Sequence, residues 1–350
     1  MELLPVREFA DRGIKWLLES PENVSGLFQI LDITLSKKID FSRLRDEKKS
    51  FILDNLRQQE SDLVFTAPFL DEEVGTEGEV LIYILIEHQS EPDISMGFRM
   101  LFYMTQIWDI QRREWERNEV PKSQWNFRPI LPVLFYIGKP SWNTPISIKD
   151  AMKQLPKPLE RFVPSHDTLF LNLKVTEKKR LLAYEHPFGW LLRVIQQEDA
   201  SIEELVRELE LAIAQLDKLP DSESSQWIRA MHYILLLIYN RREPEEHTKL
   251  TDIVQNIVQD RRRREEVSKM GRTIAQALID EGKEIGMEIG VEKGIIQNKQ
   301  EYLVELIRFR FQSIRPEINA KIRSIQDTER LTALFHRALR ANSIDEIEIE

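Results

Sequence analysis

Two apolar runs dominate the first third of the chain, Leu63–Leu70 and Val80–Ile86, and they flank an acidic, glycine-bearing segment, Asp71–Glu79. Apolar runs of strand length separated by turn chemistry predict a β-hairpin. Folded about Gly75, the hairpin would set residue 62 opposite residue 88, give or take one, so that Asp62 stands beside Glu87 and Gln89. Strand alternation then gives Glu87 and Gln89 one face and His88 the other. Ahead of the hairpin, Phe9, Ile14, Trp16, Leu17 and Leu18 mark an amphipathic helix that Pro21 closes, and Leu27–Leu35 fits either a helix or a strand. Ser42–Gln59 is charged and only moderately periodic. After the hairpin, Pro92 ends the second strand and Asp93 or Ser95 caps a helix over about 96–116, with Met100, Leu101, Met104, Ile107 and Trp108 as its apolar face. Ile130–Ile137 is apolar throughout and reads as a buried strand, and Thr168–Val175 as a last short one. A hairpin, a helix and further strands in that order predict an α/β fold, a mixed sheet flanked by helices.

Past Val175 the period changes to 3.6. Ala183–Gln197, Ile202–Leu216 and Ser224–Tyr239 read as helices punctuated by Pro220 and Pro244. His186 and His232 fall on these helices with no carboxylate or second histidine at metal spacing, which assigns them to packing or surface. Further on, Glu281–Gly294 reads E-G-K-E-I-G-M-E-I-G-V-E-K-G, placing Gly282, Gly286, Gly290 and Gly294 at every fourth residue beside Ile285 and Ile289. Each glycine costs a helix about 0.8–1 kcal/mol against alanine. A helix carrying four is expected where another backbone approaches closely, which predicts a homo-oligomer formed through the C-terminal helices. The alternative is a flexible linker before the helices Tyr302–Phe311 and Leu331–Ala341. The expected organisation is an α/β domain over residues 1–175, a helical region over 176–248, and a mostly helical arm over 249–350 that holds the 282–294 repeat.

Composition narrows the function. The 350 residues are 42% hydrophobic, enough for a sizeable core, and contain no cysteine, which excludes disulfides, zinc fingers and thiol catalysis. The first residues, Met-Glu-Leu-Leu-Pro, lack the basic and apolar regions of a signal peptide, and no apolar run approaches the roughly 18 residues of a membrane span. These features predict a cytoplasmic protein. A net charge of −10 is the wrong sign for a protein that coats DNA by bulk electrostatics. It weighs less against a nuclease, whose metal ion supplies positive charge at the scissile phosphate.

The hairpin end carries the chemistry. Two carboxylates held close repel unless a cation keeps both ionised, and Mg²⁺ suits one or two carboxylates plus waters and a phosphate. The other reading of Asp62, Glu87 and Gln89 is a strand end dipping into solvent. Arg99 is placed either to contact a phosphate or to form a structural ion pair with one of the hairpin carboxylates. Asp11 and Lys15 lie one turn apart on the first helix, as an exposed ion pair would. The run Arg261–Arg264 reads as a solvated face rather than a DNA contact, and Asp93, Glu119 and the hairpin acids Asp71–Glu73 read as solvated rather than catalytic.

Ser61, Asp62, Leu63 and Phe65, then Glu87, His88, Gln89, Ser90, Pro92 and Asp93, then Met96, Arg99, Tyr103, Met104 and Trp108 together resemble the Rpn family. These are recombination-promoting nucleases, also known as YhgA-like transposases, within the PD-(D/E)XK nuclease superfamily. The likeness covers about the first 175 residues and extends to L-P-V-L-F-Y-I-G-K-P-S-W at Leu131–Trp142. It implies a PD-(D/E)XK-like sheet, metal-dependent DNA cleavage with Mg²⁺ or Mn²⁺ held by Asp62 and Glu87, and an acid from the first helix, Asp11. Gln89 stands where the wider superfamily has lysine. A lysine would activate water or steady the transition state, whereas a glutamine amide can only hold a water or phosphate oxygen. The reading is a DNA endonuclease linked to recombination or mobile elements. The rival is a catalytically weak, DNA-associated or self-assembling scaffold.

Overall fold

The computed structural model describes residues 3–47, 63–71, 76–87, 92–152 and 154–349. Asp62, His88 and Gln89, with Ser61, Gly75 and the turn acids Glu72 and Glu73, lie outside the described residues.

Three helices come first: α1 (Phe9–Leu18), α2 (Pro21–Leu31) and α3 (Ile33–Lys38). The ambiguous run Leu27–Leu35 is helical on both sides of Asp32. That residue is extended at φ −152°, ψ 101°, and its carboxylate accepts hydrogen bonds from the Thr34 and Leu35 amides, both at 2.9 Å. One aspartate thus ends α2 and caps α3.

The sheet has five strands in the order of the chain: β1 (Arg45–Asp46), β2 (Leu63–Asp71), β3 (Thr76–Glu87), β4 (Ile130–Tyr136) and β5 (Leu169–Asn172). The first three pair antiparallel, and β3–β4 and β4–β5 pair parallel. The architecture is therefore mixed α/β. The hairpin register differs from the expected one. Leu63 pairs with Ile84 and Asp71 with Thr76, where folding about Gly75 would have brought Leu63 to residue 87. Thr76–Glu79 is polar but still forms ladder hydrogen bonds, so β3 starts earlier than its apolar run and only four residues separate the strands. Among the described residues, 85–87 of β3 pair with β4.

Between β3 and β4 the chain crosses over through α4 (Met96–Arg117). Met96, Met100, Tyr103, Met104, Ile107 and Ile110 bury against Leu81, Ile130 and Leu134, covering one face of the sheet. Alternation puts Leu63, Phe65, Ile82, Ile84, Val133, Phe135 and Leu171 on the other face, all buried, where α2 meets β5 and α3 meets β2. Burial on both faces is why these strands read as continuous apolar runs. Gly97 brings α4 flush against the loop before α5 (Ile148–Ala151): a Cβ there would lie 2.4 Å from the Ser147 carbonyl.

The following helices are α6 (Lys178–Leu181), α7 (Pro187–Gln196), α8 (Ile202–Leu216), α9 (Ser224–Arg241) and α10 (Pro244–Ile257). They pack on the N-terminal helices, α7 on α2 and α9 on α1. Phe9 meets Tyr233 with centroids 5.0 Å apart, and Trp16 meets His232 edge-on at 5.7 Å. The four arginines at the start of α11 (Arg261–Phe311) do not form a uniformly solvated face. Arg263 is largely buried over Trp227 and donates to the carbonyls of Asp217 and Leu219, while Arg264 donates to Val258.

The described residues divide into two compact units, Met1–Ile274 and Ala275–Glu350, and the division falls within α11. The glycine repeat lies in uninterrupted helix. In the second unit Ile296, Leu303, Val304 and Ile307 of α11 pack with Ile322 of α12 (Pro316–Ser324) and Leu331, Leu334 and Ala338 of α13 (Thr328–Arg340). Among the described residues no helix is long and apolar enough to cross a membrane.

Candidate functional site at the carboxyl edge of the sheet

Parallel strands leave their carboxyl ends along one edge, and α/β folds place ligands there. In this chain the strand ends fall in one register row: Glu87 pairs with Tyr136, and Tyr136 with Asn172. Glu87 is the last residue of β3, and its side chain lies outside the described set, as does that of Asp11 in α1. The row therefore holds one of the three hairpin-end residues predicted for the site, by backbone position. The other two, Asp62 and Gln89, lie outside the described residues.

Tyr136 is fully buried, donates its hydroxyl to the Pro140 carbonyl at 3.0 Å and packs edge-on against Trp142 at 4.9 Å. Trp142 in turn meets Phe170 at 5.4 Å and donates to the Thr144 carbonyl. The loop after β4 is thereby clamped over the strand ends. Asn172 is 9% exposed, and its backbone carbonyl accepts from the Thr176 amide and hydroxyl. Its side-chain Oδ1 is buried with no donor among the described residues. A buried acceptor without a donor is costly and is therefore uncommon. Carboxylate and amide oxygens are hard donors, of the kind that suits Mg²⁺ or Mn²⁺ rather than a soft metal. Among the described residues no group of three acidic or histidine side chains forms a ready metal cage.

Arg99 lies in the first turn of α4, where its Nη1 donates to Asp93 Oδ2 at 2.9 Å with both side chains largely covered. Asp93 is thus one partner of Arg99; the ion pair expected with a hairpin carboxylate falls on side chains outside the described residues. Asp93 was expected to be solvated; instead its Oδ1 accepts from the Ser95 amide and hydroxyl, both at 2.7 Å. Burial pushes the Asp93 carboxyl up, but the hydrogen bonds from Ser95 and Arg99 outweigh this and hold it below the ordinary carboxylate range. The pair fixes the entry of α4 beside the row.

Below the same edge Lys174 reaches Glu198 at 3.1 Å and Asp199 at 3.4 Å, and Lys139 reaches Asp199 at 3.0 Å. Burial raises the Asp199 carboxyl, and the two lysines bring it down past its usual value. Gln196 Nε2 donates to the carbonyls of Leu173 and Thr176. These contacts bind the helices after β5 to the strand ends. The two histidines are structural. His186 Nδ1 accepts from the Phe188 amide at 3.1 Å and caps α7, while His232 contacts the Leu4 carbonyl through Nε2 at 2.9 Å.

Sequence reasoning passed over Tyr136 and Asn172. Their signal was weak: each is a single residue within a largely apolar stretch, and only the register places them in the row of Glu87.

The family model described as "Putative transposase, YhgA-like" matches residues 9–226. Recombination-promoting nuclease RpnD of Escherichia coli O157:H7 is 30% identical over 132 residues, which cover 37% of this chain and 46% of RpnD. Recombination-promoting nuclease RpnC of Escherichia coli K12 is 25% identical over 256 residues, 72% of this chain and 75% of RpnC. The protein named inactive recombination-promoting nuclease-like protein RpnE, from the same strain, is 32% identical over 133 residues, 37% of this chain and 40% of RpnE. The match thus spans less than half the length of RpnD and RpnE. No solved structure gives a significant match.

Proposed function

This chain belongs to the YhgA-like family, and from that premise we propose that it is a metal-dependent DNA endonuclease that hydrolyses phosphodiester bonds. The observation that carries the reading is the row Glu87, Tyr136, Asn172 at the carboxyl edge of a mixed sheet, in a chain similar to proteins named as nucleases. The order of hairpin, crossover helix and parallel strand agrees with a PD-(D/E)XK-like domain. Asp62 and Glu87 would hold Mg²⁺ or Mn²⁺. When bound, the ion polarises a phosphoryl oxygen and lowers the pKa of water. Gln89 would place the attacking water through its amide. Asn172 Oδ1 would accept a proton-bearing group at the far end of the row. Arg99 would face a phosphate while Asp93 holds its guanidinium in orientation. The linkage to recombination or mobile elements, and a cytoplasmic location, are part of the same proposal.

The test is plasmid cleavage by purified protein with Mg²⁺, Mn²⁺ or EDTA, beside Asp62→Ala and Glu87→Ala. The expected result is metal-dependent nicking that drops at least about a hundredfold in both variants while their circular dichroism is unchanged. Equal cleavage by wild type and variants sinks the assignment.

A second reading rests on α11. Ile285, Met287, Ile289 and Val291 are exposed along the glycine repeat, and added methyl groups at Gly282, Gly286, Gly290 and Gly294 would meet no atom within 4 Å. This surface favours self-association through the C-terminal helix, either in an active nuclease or in a catalytically weak scaffold.

A further inference from the structure

A chain of net charge −10 repels nucleic acid, paired or unpaired, through its overall field. A nuclease of this charge needs a local basic surface, and one lies just past the carboxyl edge of the sheet. Residues 172–182, N-L-K-V-T-E-K-K-R-L-L, run on from the end of β5 and carry four basic residues and one acidic. Lys139 follows the end of β4 by three residues. The two segments meet at Asp199, which takes Lys139 at 3.0 Å and Lys174 at 3.4 Å.

The ion pairs here leave positive charge in surplus. Three carboxylates, Glu198, Asp199 and Glu208, serve five cations: Lys139, Lys174, Lys178, Arg193 and Arg241. Lys179 and Arg180 are exposed, and neither pairs with a carboxylate among the described residues. Arg180 Nε donates instead to the Ile30 carbonyl at the end of α2, at 3.4 Å. Lys174 and Arg193 act as braces, with side chains only 14% and 11% exposed. Lys139 and Lys178 are open, at 73% and 44%. An ion pair between exposed groups contributes little, so these two lysines can turn to another anion at small cost. The backbone beneath them is fixed, because Gln196 donates to the carbonyls of Leu173 and Thr176.

The register row gives the distance to the candidate site. Glu87, Tyr136 and Asn172 stand on neighbouring strands. At about 4.8 Å per strand, Asn172 lies about 10 Å from Glu87, and the basic segment begins there. A duplex advances about 3.4 Å per base pair, so its backbone covers that span in about three.

We propose that Lys139, Lys178, Lys179 and Arg180 hold the phosphate backbone of duplex DNA beside the strand-end row. The assignment rests on the endonuclease reading for its placement. It is tested apart from cleavage, by binding in EDTA.

The full-length protein is titrated with a fluorescent duplex oligonucleotide over a series of salt concentrations. Wild type is compared with Lys178→Gln/Lys179→Gln/Arg180→Gln, in which Glu208 keeps Arg193 as a partner, and with the charge-retaining Lys178→Arg/Lys179→Arg/Arg180→Lys. A third variant, Arg261→Gln/Arg262→Gln/Lys269→Gln, removes equal charge from exposed positions of α11. The first variant should lose roughly ten- to a hundredfold in affinity at low salt, with a salt slope smaller by about two to three. Lys139→Gln alone should lower the slope by about one. The charge-retaining variant should bind as wild type does, which guards against a merely unfolded glutamine variant. Equal affinity in wild type and the first variant overturns the surface, as does no binding by wild type. An equal loss in the α11 variant also overturns it, by assigning the effect to net charge. Binding that depends on these residues, in a protein without metal-dependent cleavage, would sink the endonuclease reading and leave the surface standing.

Discussion

His186 joins a capping hydrogen bond to a titration. Its ring accepts the Phe188 amide and is wedged against α2, where any Cβ at Gly26 would come within 2.4 Å of Nδ1. Burial drives its pKa down from 6.5 to about 4, against a smaller upward pull from Glu22. The unfolded chain takes up a proton near pH 6.5 while the folded chain resists until about 4, so stability is full above 6.5 and falls across that window. The loss should approach about 3 kcal/mol, at about 1.36 kcal/mol per pKa unit. Burial lowers the pKa of His232 as well, which adds to the same slope. Asparagine at position 186 retains a cap and cannot titrate. Urea unfolding of His186→Asn from pH 7.5 to 4 should therefore show a shallower decline than wild type. Parallel curves would remove His186 as the cause.

At the scale of elements, the close approach of α4 to the 147–148 backbone makes Gly97 a sensitive position. The atoms that a new methyl group would strike are backbone and cannot rotate aside. Gly97→Ala should destabilise the first unit by about 1–3 kcal/mol, read as a lower denaturant midpoint with an unchanged slope; an unaltered midpoint would contradict the packing. Most elements were legible because their periods are strong. Ile202–Leu216 is helical over the expected residues, and α4, β4 and α9 end within two residues of expectation. What failed had little pattern to read. β1 is two exposed charged residues that exist only because β2 offers an edge. The hairpin register slipped by three because polar residues joined the ladder. Asp93 was misread because its partner Arg99 lies six residues away, beyond ordinary helical spacing, and meets it only because the chain turns at residues 93–95. Of the candidate site, the family motif was legible. The contributions of Tyr136 and Asn172 depend on pairing between strands far apart in sequence.

For the whole molecule, the glycine repeat decides between a solvated helix and an assembly surface. Replacing Gly282, Gly286, Gly290 and Gly294 together by alanine adds about 3–4 kcal/mol of helix propensity, and the alanines fit without clash in a single chain. The expected outcome is a higher thermal midpoint together with weaker self-association in sedimentation equilibrium. Unchanged association would leave the glycines without a part in assembly. A further consequence lies in how the first unit closes. The Leu4 carbonyl meets His232 across 228 positions of sequence, and Phe9 and Trp16 are covered by that same late helix. At about 5–20 residues per second, a ribosome needs roughly 10–45 s to deliver α9 after α1 has emerged. Throughout that interval the first helix presents bare aromatic rings to the cell, so the newborn chain is a natural client for a chaperone that shields its amino-terminal end.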